Sequence, residues 1–123
     1  LFVKSAGDGR MIKYDSGLSY VSSNPYVITV ASLTNENKYS IHSSTGSNIL
    51  VTAYGGNDYN NSATIATTTV EANTTYPTWD EDSTNNYTYA MSGTSAATSI
   101  VSGSLALVLE ACPTLSWRDV KFL

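Results

Sequence analysis

Cysteine, histidine and charged residues are scarce in this chain of 123 residues. The single cysteine, Cys112, excludes an internal disulfide and a cysteine-based zinc site, since both need a second cysteine. Alone, it is expected to pack as a small apolar side chain. Six basic against ten acidic residues leave a net charge of −4, which argues against nucleic acid or an anionic membrane surface as partner. Low charge with abundant Ser, Thr and Asn is typical of a secreted protein.

Long apolar runs are also missing from the sequence. None approaches the roughly 18 residues that a membrane-spanning helix needs, so no membrane span is expected. No charged segment followed by an apolar run and a cleavage site is present either, so these residues contain no secretory leader.

The most informative segment that is present covers residues 91–103, where a serine lies between a glycine turn and a stretch of small and apolar residues. Gly93 can adopt backbone angles closed to other residues, and Thr94 is suited to cap a helix. Ser95 would then lie at the positive end of the helix dipole, where unpaired N–H groups stabilise a developing oxyanion. A capped helix with an incidental serine would give the same short pattern.

The remaining pattern predicts short strands that alternate with turns and end in helix, as in an open parallel α/β sheet. Buried strands are predicted over residues 1–4, 26–31 and 49–53, and a short strand over 64–68. A helix over residues 94–111 should be buried on all sides, because small and apolar residues fill every face. Pro113 should end it, and Ser116 should cap a second helix with Trp117 and Val120 on its core side.

Residues 57–86 differ from the rest, because they are rich in Asn, Thr and Tyr and show little helical period. They are interpreted as a polar, loop-rich insertion. Asp80, Glu81 and Asp82 form its dense acidic cluster, whose oxygen atoms would suit structural calcium. Solvated acidic turns have the same composition, and the spacing matches no defined calcium loop, so no metal ligand is assigned.

Three blocks carry a family resemblance: Val-Lys-Ser-Ala-Gly-Asp-Gly at 3–9, Gly-Thr-Ser-Ala-Ala at 93–97 and Leu-Glu-Ala-Cys-Pro-Thr-Leu-Ser-Trp-Arg-Asp-Val at 109–120. In this order they resemble the C-terminal part of the catalytic domain of subtilisin-like serine peptidases, most closely the kexin/furin-like branch. The resemblance implies that residues 1–123 are the C-terminal portion of a single three-layer, parallel-sheet domain. It also implies that the catalytic aspartate and histidine lie upstream, so the remainder of that domain is an expected partner.

The resemblance implies acyl transfer with Ser95 as nucleophile and Asp8 at the oxyanion position, where most of the family has asparagine. An ionised carboxylate has no N–H to donate, which favours the alternative of an impaired pseudoenzyme or binding module. A carboxyl in a desolvated site could instead be protonated and donate, and activity would then favour acidic pH. A plain surface Asp-Gly turn is the third interpretation.

The resemblance also suggests substrate-binding positions. Ser5, Ala6 and Gly7 would form an extended pocket edge that pairs with substrate backbone, beside Thr94. Asp15 lies where kexin-like members have an aspartate that lines the pocket for a basic side chain, although a solvated turn aspartate is an equal alternative.

His42, the single histidine, lies in a segment that resembles a structural turn of the kexin branch, so it is predicted to be noncatalytic. The expectation is therefore a secreted or periplasmic serine endopeptidase that acts on proteins or peptides and needs no cofactor for its chemistry. The 123 residues alone should be inactive, and a fragment without function of its own is a further interpretation.

Overall fold

The computed structural model describes residues 1–56, 63–69 and 87–123. In these ranges the strands are β1 Phe2–Ser5, β2 Val27–Leu33, β3 Ile49–Tyr54, β4 Ile65–Thr68 and β5 Tyr87–Met91. The helices are α1 Thr94–Ala111 and α2 Trp117–Lys121, and two 3₁₀ turns, Arg10–Ile12 and Ser16–Leu18, lie between β1 and β2.

The strands form two sheets. β1, β2 and β3 pair in parallel in that order, while β4 and β5 form an antiparallel ribbon. β2, the central strand, carries the apolar residues on which the core is built. The predicted α/β class, with a parallel sheet, is confirmed, and all four predicted strands lie within two residues of their expected bounds.

The core lies between the central strand and the two helices. Ile28 and Val30 of β2 pack with Ala97 and Val101 of α1 and with Val120 of α2. β2 is buried along its middle, but β1 and β3 alternate or mix half-buried with exposed residues. The prediction of three buried strands is therefore wrong for β1 and β3, because in the described residues each has one neighbouring strand whereas β2 has two.

The prediction that α1 is buried on all sides is also wrong. α1 contacts β1, β2 and β3, and its buried residues are Thr94, Ala96, Ala97 and Val101. Ile100 and Leu107 are exposed, because a helix lying on one face of a sheet is covered along one side. α1 has 18 residues with a mean hydropathy of 1.3, contrary to the expectation that no run reaches spanning length. Length and composition alone are weak support for a membrane span, and α1 packs on the sheet.

The helix ends follow the sequence with two corrections. The N-cap of α1 is Gly93, and Thr94 is the first helical residue instead of the predicted cap. α1 ends at Ala111, ahead of Pro113 as predicted, but Cys112 at its C-cap is exposed and does not pack as an apolar side chain. Leu109 and Leu115, on either side of Cys112 in the chain, pack against the core in its place.

The second helix begins as predicted. The Ser116 hydroxyl accepts from the N–H of Asp119, whose carboxylate accepts from the Ser116 N–H, a reciprocal capping box. Val120 is buried, whereas Trp117 is half-buried, with its ring edge-on to Tyr26 at 4.8 Å between centroids.

Candidate active site

The candidate site lies where the parallel strands end. Because β1, β2 and β3 run in the same direction, the segments that follow them meet at one edge of the sheet. β1 leads to Asp8, β2 leads to the segment with His42, and β3 leads to Gly55. α1 begins at this same edge.

The first residues of α1 are tied to the end of β3. The Gly93 N–H donates to the Gly55 carbonyl oxygen at 2.8 Å. A Cβ on Gly55 would lie 2.5 Å from the Gly93 oxygen, so the close approach of the two segments requires glycine there. Gly93 has φ 108°, a left-handed conformation that favours glycine, and a Cβ on it would lie 3.0 Å from Asp8 Oδ2.

Ser95 is the second residue of α1 and is exposed. Three of the four N–H groups at the helix start have partners: that of Thr94 donates to Asp8, and those of Ala96 and Ala97 to the Gly93 carbonyl oxygen. Among the described residues no acceptor is recorded for the Ser95 N–H. An accessible hydroxyl is thus joined to a free donor at the positive end of a helix, which suits both nucleophilic attack and oxyanion stabilisation.

Asp8 lies against this helix start. Its Oδ1 accepts from the Thr94 N–H at 2.9 Å, although the two residues are far apart in sequence. Its side chain is 45% exposed in these 123 residues, and a donating Asp8 stays a prediction. The structure brings Asp8 to the start of α1, where it accepts from the residue that precedes Ser95.

The turn that carries Asp8 is held by the segment following β2. The Ser44 N–H donates to the Gly7 carbonyl oxygen at 2.8 Å, and the Ser44 hydroxyl accepts from the Gly9 N–H at 2.9 Å. The Arg10 N–H donates to the His42 carbonyl oxygen at 3.2 Å. Sequence reasoning missed this bracing, and its one signal was the run of small hydroxyl residues after His42.

His42 occupies the interior of this braced region and is only 7% exposed. Its Nε2 lies 3.8 Å from Asp8 Oδ1, and neither ring nitrogen has a hydrogen-bond partner among the described residues. The structural turn was expected, but the proximity to Asp8 was missed, since no local pattern joins two residues on different loops.

The predicted substrate-binding residues lie along the same edge. Ala6 is buried, and its N–H already donates to the Val30 carbonyl oxygen at 2.8 Å. The Gly7 N–H donates to the hydroxyl of the fully buried Thr94 at 3.2 Å. These two N–H groups are therefore not free to pair with substrate, which corrects part of the predicted edge. Ser5, half-buried at the end of β1, accepts from the Lys4 ammonium.

Asp15 is exposed and caps the 3₁₀ turn that follows it. Its Oδ1 accepts from the Gly17 N–H at 2.7 Å, and its backbone bridges to Thr45. This geometry agrees with the alternative interpretation of Asp15 as a solvated turn residue. Recognition of a basic substrate side chain by the second carboxylate oxygen stays a prediction.

The acidic cluster Asp80, Glu81 and Asp82 lies outside the described residues. Within the described ranges no group of three or more His, Cys, Asp or Glu side chains could hold a metal ion. The calcium expectation stays a prediction.

Comparison with known proteins agrees with the blocks in the sequence. A model of the Subtilase family matches residues 1–123. The Aeromonas extracellular serine protease of Aeromonas sobria is 33% identical over 95% of this chain and 21% of its own length. Protease KEX1 of Kluyveromyces lactis is 30% identical over 100% of this chain and 14% of its own. The chain thus spans about a fifth or less of these relatives' length.

Solved structures show the same likeness in three dimensions. The crystal structure of the serine protease of Aeromonas sobria superposes with a TM-score of 0.86 and 28% identity, covering 97% of this chain and 25% of that one. The same protease has also been solved in complex with a chaperone, with the same TM-score. With a family match along the whole chain and relatives in the kexin branch, this chain belongs to the subtilase family.

Proposed function

We propose that this chain is part of a serine endopeptidase that hydrolyses peptide bonds through Ser95. The observation that carries the proposal is the exposed Ser95 at the start of α1, with its N–H free among the described residues and Asp8 beside it. The relatives named above support the same reaction, since both are named as proteases and the Aeromonas one as a serine protease.

In this reaction Ser95 Oγ attacks the carbonyl carbon of the scissile bond, and the carbonyl oxygen becomes an oxyanion. The Ser95 N–H, at the positive end of α1, donates to that oxygen. The proton of the hydroxyl goes to an imidazole oriented by a carboxylate, which then protonates the leaving amine. Both groups are supplied by sequence outside these 123 residues, since His42 is buried against Asp8.

Specificity for a basic residue before the cleaved bond is proposed to depend on Asp15. Its Oδ2 would pair with the Arg or Lys side chain while Oδ1 keeps the Gly17 N–H. Asp15→Asn retains the capping acceptor, so it should lower kcat/KM for Arg peptides about tenfold or more and spare Leu peptides. Glu36→Gln, the same charge change in an exposed turn, is the control. Equal losses on both peptides would contradict this role.

The experiment for the main proposal is labelling of the full-length protein with a fluorophosphonate probe at pH 5.5 and 7.5. We expect covalent labelling that Ser95→Ala abolishes, because the probe reacts only with a serine activated by a neighbouring base. Ser99→Ala, one turn further along α1, is the matched control and should label normally. Labelling that persists in Ser95→Ala would overturn the assignment of the nucleophile.

A second candidate function is a binding module that retains the fold without catalysis. The observation in its favour is Asp8, since a carboxylate that accepts from Thr94 N–H offers a growing oxyanion no donor and repels it. A folded full-length protein that the probe does not label at either pH would favour this candidate.

The cellular location, the substrate class and the cofactor requirement are proposed from the similarity to the same relatives. We propose a secreted or periplasmic location, because one relative is named as an extracellular protease. The substrate is a protein or peptide chain, and the serine mechanism requires no cofactor.

A further inference from the structure

We propose that His42 is a positioning residue for Asp8, whose protonated imidazole neutralises the carboxylate at the oxyanion position. This inference rests on the proposed function, because it concerns how that site tolerates an aspartate. It starts from the contact of 3.8 Å between His42 Nε2 and Asp8 Oδ1, in a protein whose described residues give the imidazole no other polar partner.

Burial makes this imidazole costly to leave unpaired. His42 is only 7% exposed, and a buried polar group without a hydrogen bond destabilises the folded state. Asp8 is the acidic group that lies within ion-pair distance of it. A protonated imidazole therefore gains a partner of opposite charge, while a neutral one gains far less.

The backbone around the pair keeps the two side chains together. Hydrogen bonds from Ser44 to Gly7, from Gly9 to Ser44 and from Arg10 to His42 join the two segments. Since these bonds do not involve either side chain of the pair, the contact is a feature of the fold. The imidazole is positioned to act on Asp8 and not on substrate.

Other charged and titratable groups surround the pair without replacing it. The Arg10 guanidinium lies 5.6 Å from the centre of the Tyr39 ring, in the segment that carries His42. The Tyr14 ring lies against Gly7 and Gly9, and the first turn of α1 carries no acidic side chain. Lys13 and Asp15 on the same connection are exposed. Among the described residues, the His42 imidazole is thus the basic group within ion-pair distance of Asp8.

The consequence for the reaction is electrostatic. A lone carboxylate near the oxyanion raises the energy of the tetrahedral intermediate, and an adjacent imidazolium offsets that repulsion. Only a charged imidazole offsets the repulsion, so the assistance of His42 should be greater at acidic than at alkaline pH.

The test compares the full-length protein with His42→Gln and His42→Asn across pH 5.5 to 8.5. The ratio of wild-type to variant kcat/KM should rise about twofold to fivefold from pH 8.5 to 6, as expected for one partly exposed ion pair. Taking the ratio cancels the titration of the catalytic imidazole, which both proteins share. Tyr39→Phe, on the same segment, should leave the ratio flat.

A second measurement works without any activity. In a double-mutant cycle of thermal unfolding, Asp8→Asn and His42→Gln should be non-additive by about 2 °C at pH 6 and additive at pH 8.5. Additivity at both pH values, or a flat ratio of kcat/KM, would overturn the pairing. If the wild type fails to label with fluorophosphonate while the cycle is non-additive at pH 6, the proposed function fails and the pairing stands.

Discussion

At the scale of single residues, the position with the largest consequence for the proposed reaction is Asp8. Its Oδ1 holds the Thr94 N–H, and its other oxygen faces Gly93 at the helix start. In the proposed site this carboxylate is an acceptor at a position where the reaction needs a donor.

Asp8→Asn is expected to raise kcat/KM about tenfold or more, because an amide adds an N–H donor for the oxyanion while its oxygen still accepts from Thr94. The measurement is peptide hydrolysis by the full-length protein at pH 7.5, with Glu36→Gln as the control for loss of one negative charge. A fall in kcat/KM would show that the carboxylate itself is required.

Sequence reasoning at this scale succeeded where a role depends on a local pattern. Ser95 and Ser116 were placed at helix starts from their neighbours in the chain, and Pro113 after a helix end, and all three lie there. The contact between His42 and Asp8 was not accessible, because it depends on how two loops after different strands are brought together.

At the scale of elements, α1 and its N-cap contain two glycines with opposite structural demands. Gly93 has φ 108° and faces Asp8, whereas Gly103 lies in the helix interior, where an added methyl group would meet nothing within 4 Å. The first position requires glycine, and the second only carries the entropic cost of its conformational freedom.

Gly93→Ala should therefore lower the free energy of unfolding by about 1–3 kcal/mol, and Gly103→Ala should raise it by about 0.5–1 kcal/mol. Denaturant unfolding of the full-length protein measures both. Because the two substitutions add the same methyl to one helix, they control for each other, and equal effects would contradict the distinction.

The capping box of α2 predicts a dependence of stability on pH. Hydrogen bonds from the Ser116 hydroxyl and backbone lower the pKa of Asp119 in the folded protein. A carboxyl with a depressed folded pKa stabilises the fold above its unfolded value of about 3.9, and this contribution is lost as pH falls through the folded pKa.

Asp119→Asn should accordingly flatten part of the loss of stability seen below about pH 4, since the amide does not titrate there. The effect is small, because Asp119 is solvent-exposed and its charge is screened. Unfolding midpoints of wild type and variant at pH 3 and 6 measure it. A larger difference between the two proteins at pH 3 than at pH 6 would contradict the sign.

At the scale of the whole molecule, the order and pairing of the elements could be predicted from the sequence, but the burial of each element could not. The order of strands and helices followed from periodicity and turn residues, and the parallel sheet followed from their alternation. Burial of β1, β3 and α1 was overestimated, because apolar composition predicts which residues can be buried but not what covers them.

The isolated 123-residue chain is expected to be poorly soluble and to unfold without a sharp transition. Ile12, Leu18 and Tyr20 are each more than 80% exposed, and β1 and β3 have unpaired edges within the described residues. Circular dichroism during heating of the purified chain, with light scattering, measures this. A reversible, cooperative melt of a monomer would contradict it.

The hydrogen bond from the Gly93 N–H to the Gly55 carbonyl oxygen joins the two ends of the segment between them. The two ends of the segment between these glycines are therefore in contact, whatever the length of the segment. Each doubling of the length of a flexible loop adds only about 0.6 kcal/mol to the entropic cost of closing it. Insertions between the two glycines can therefore accumulate over evolution while Ser95 keeps its position, so related chains should differ most in length in this segment.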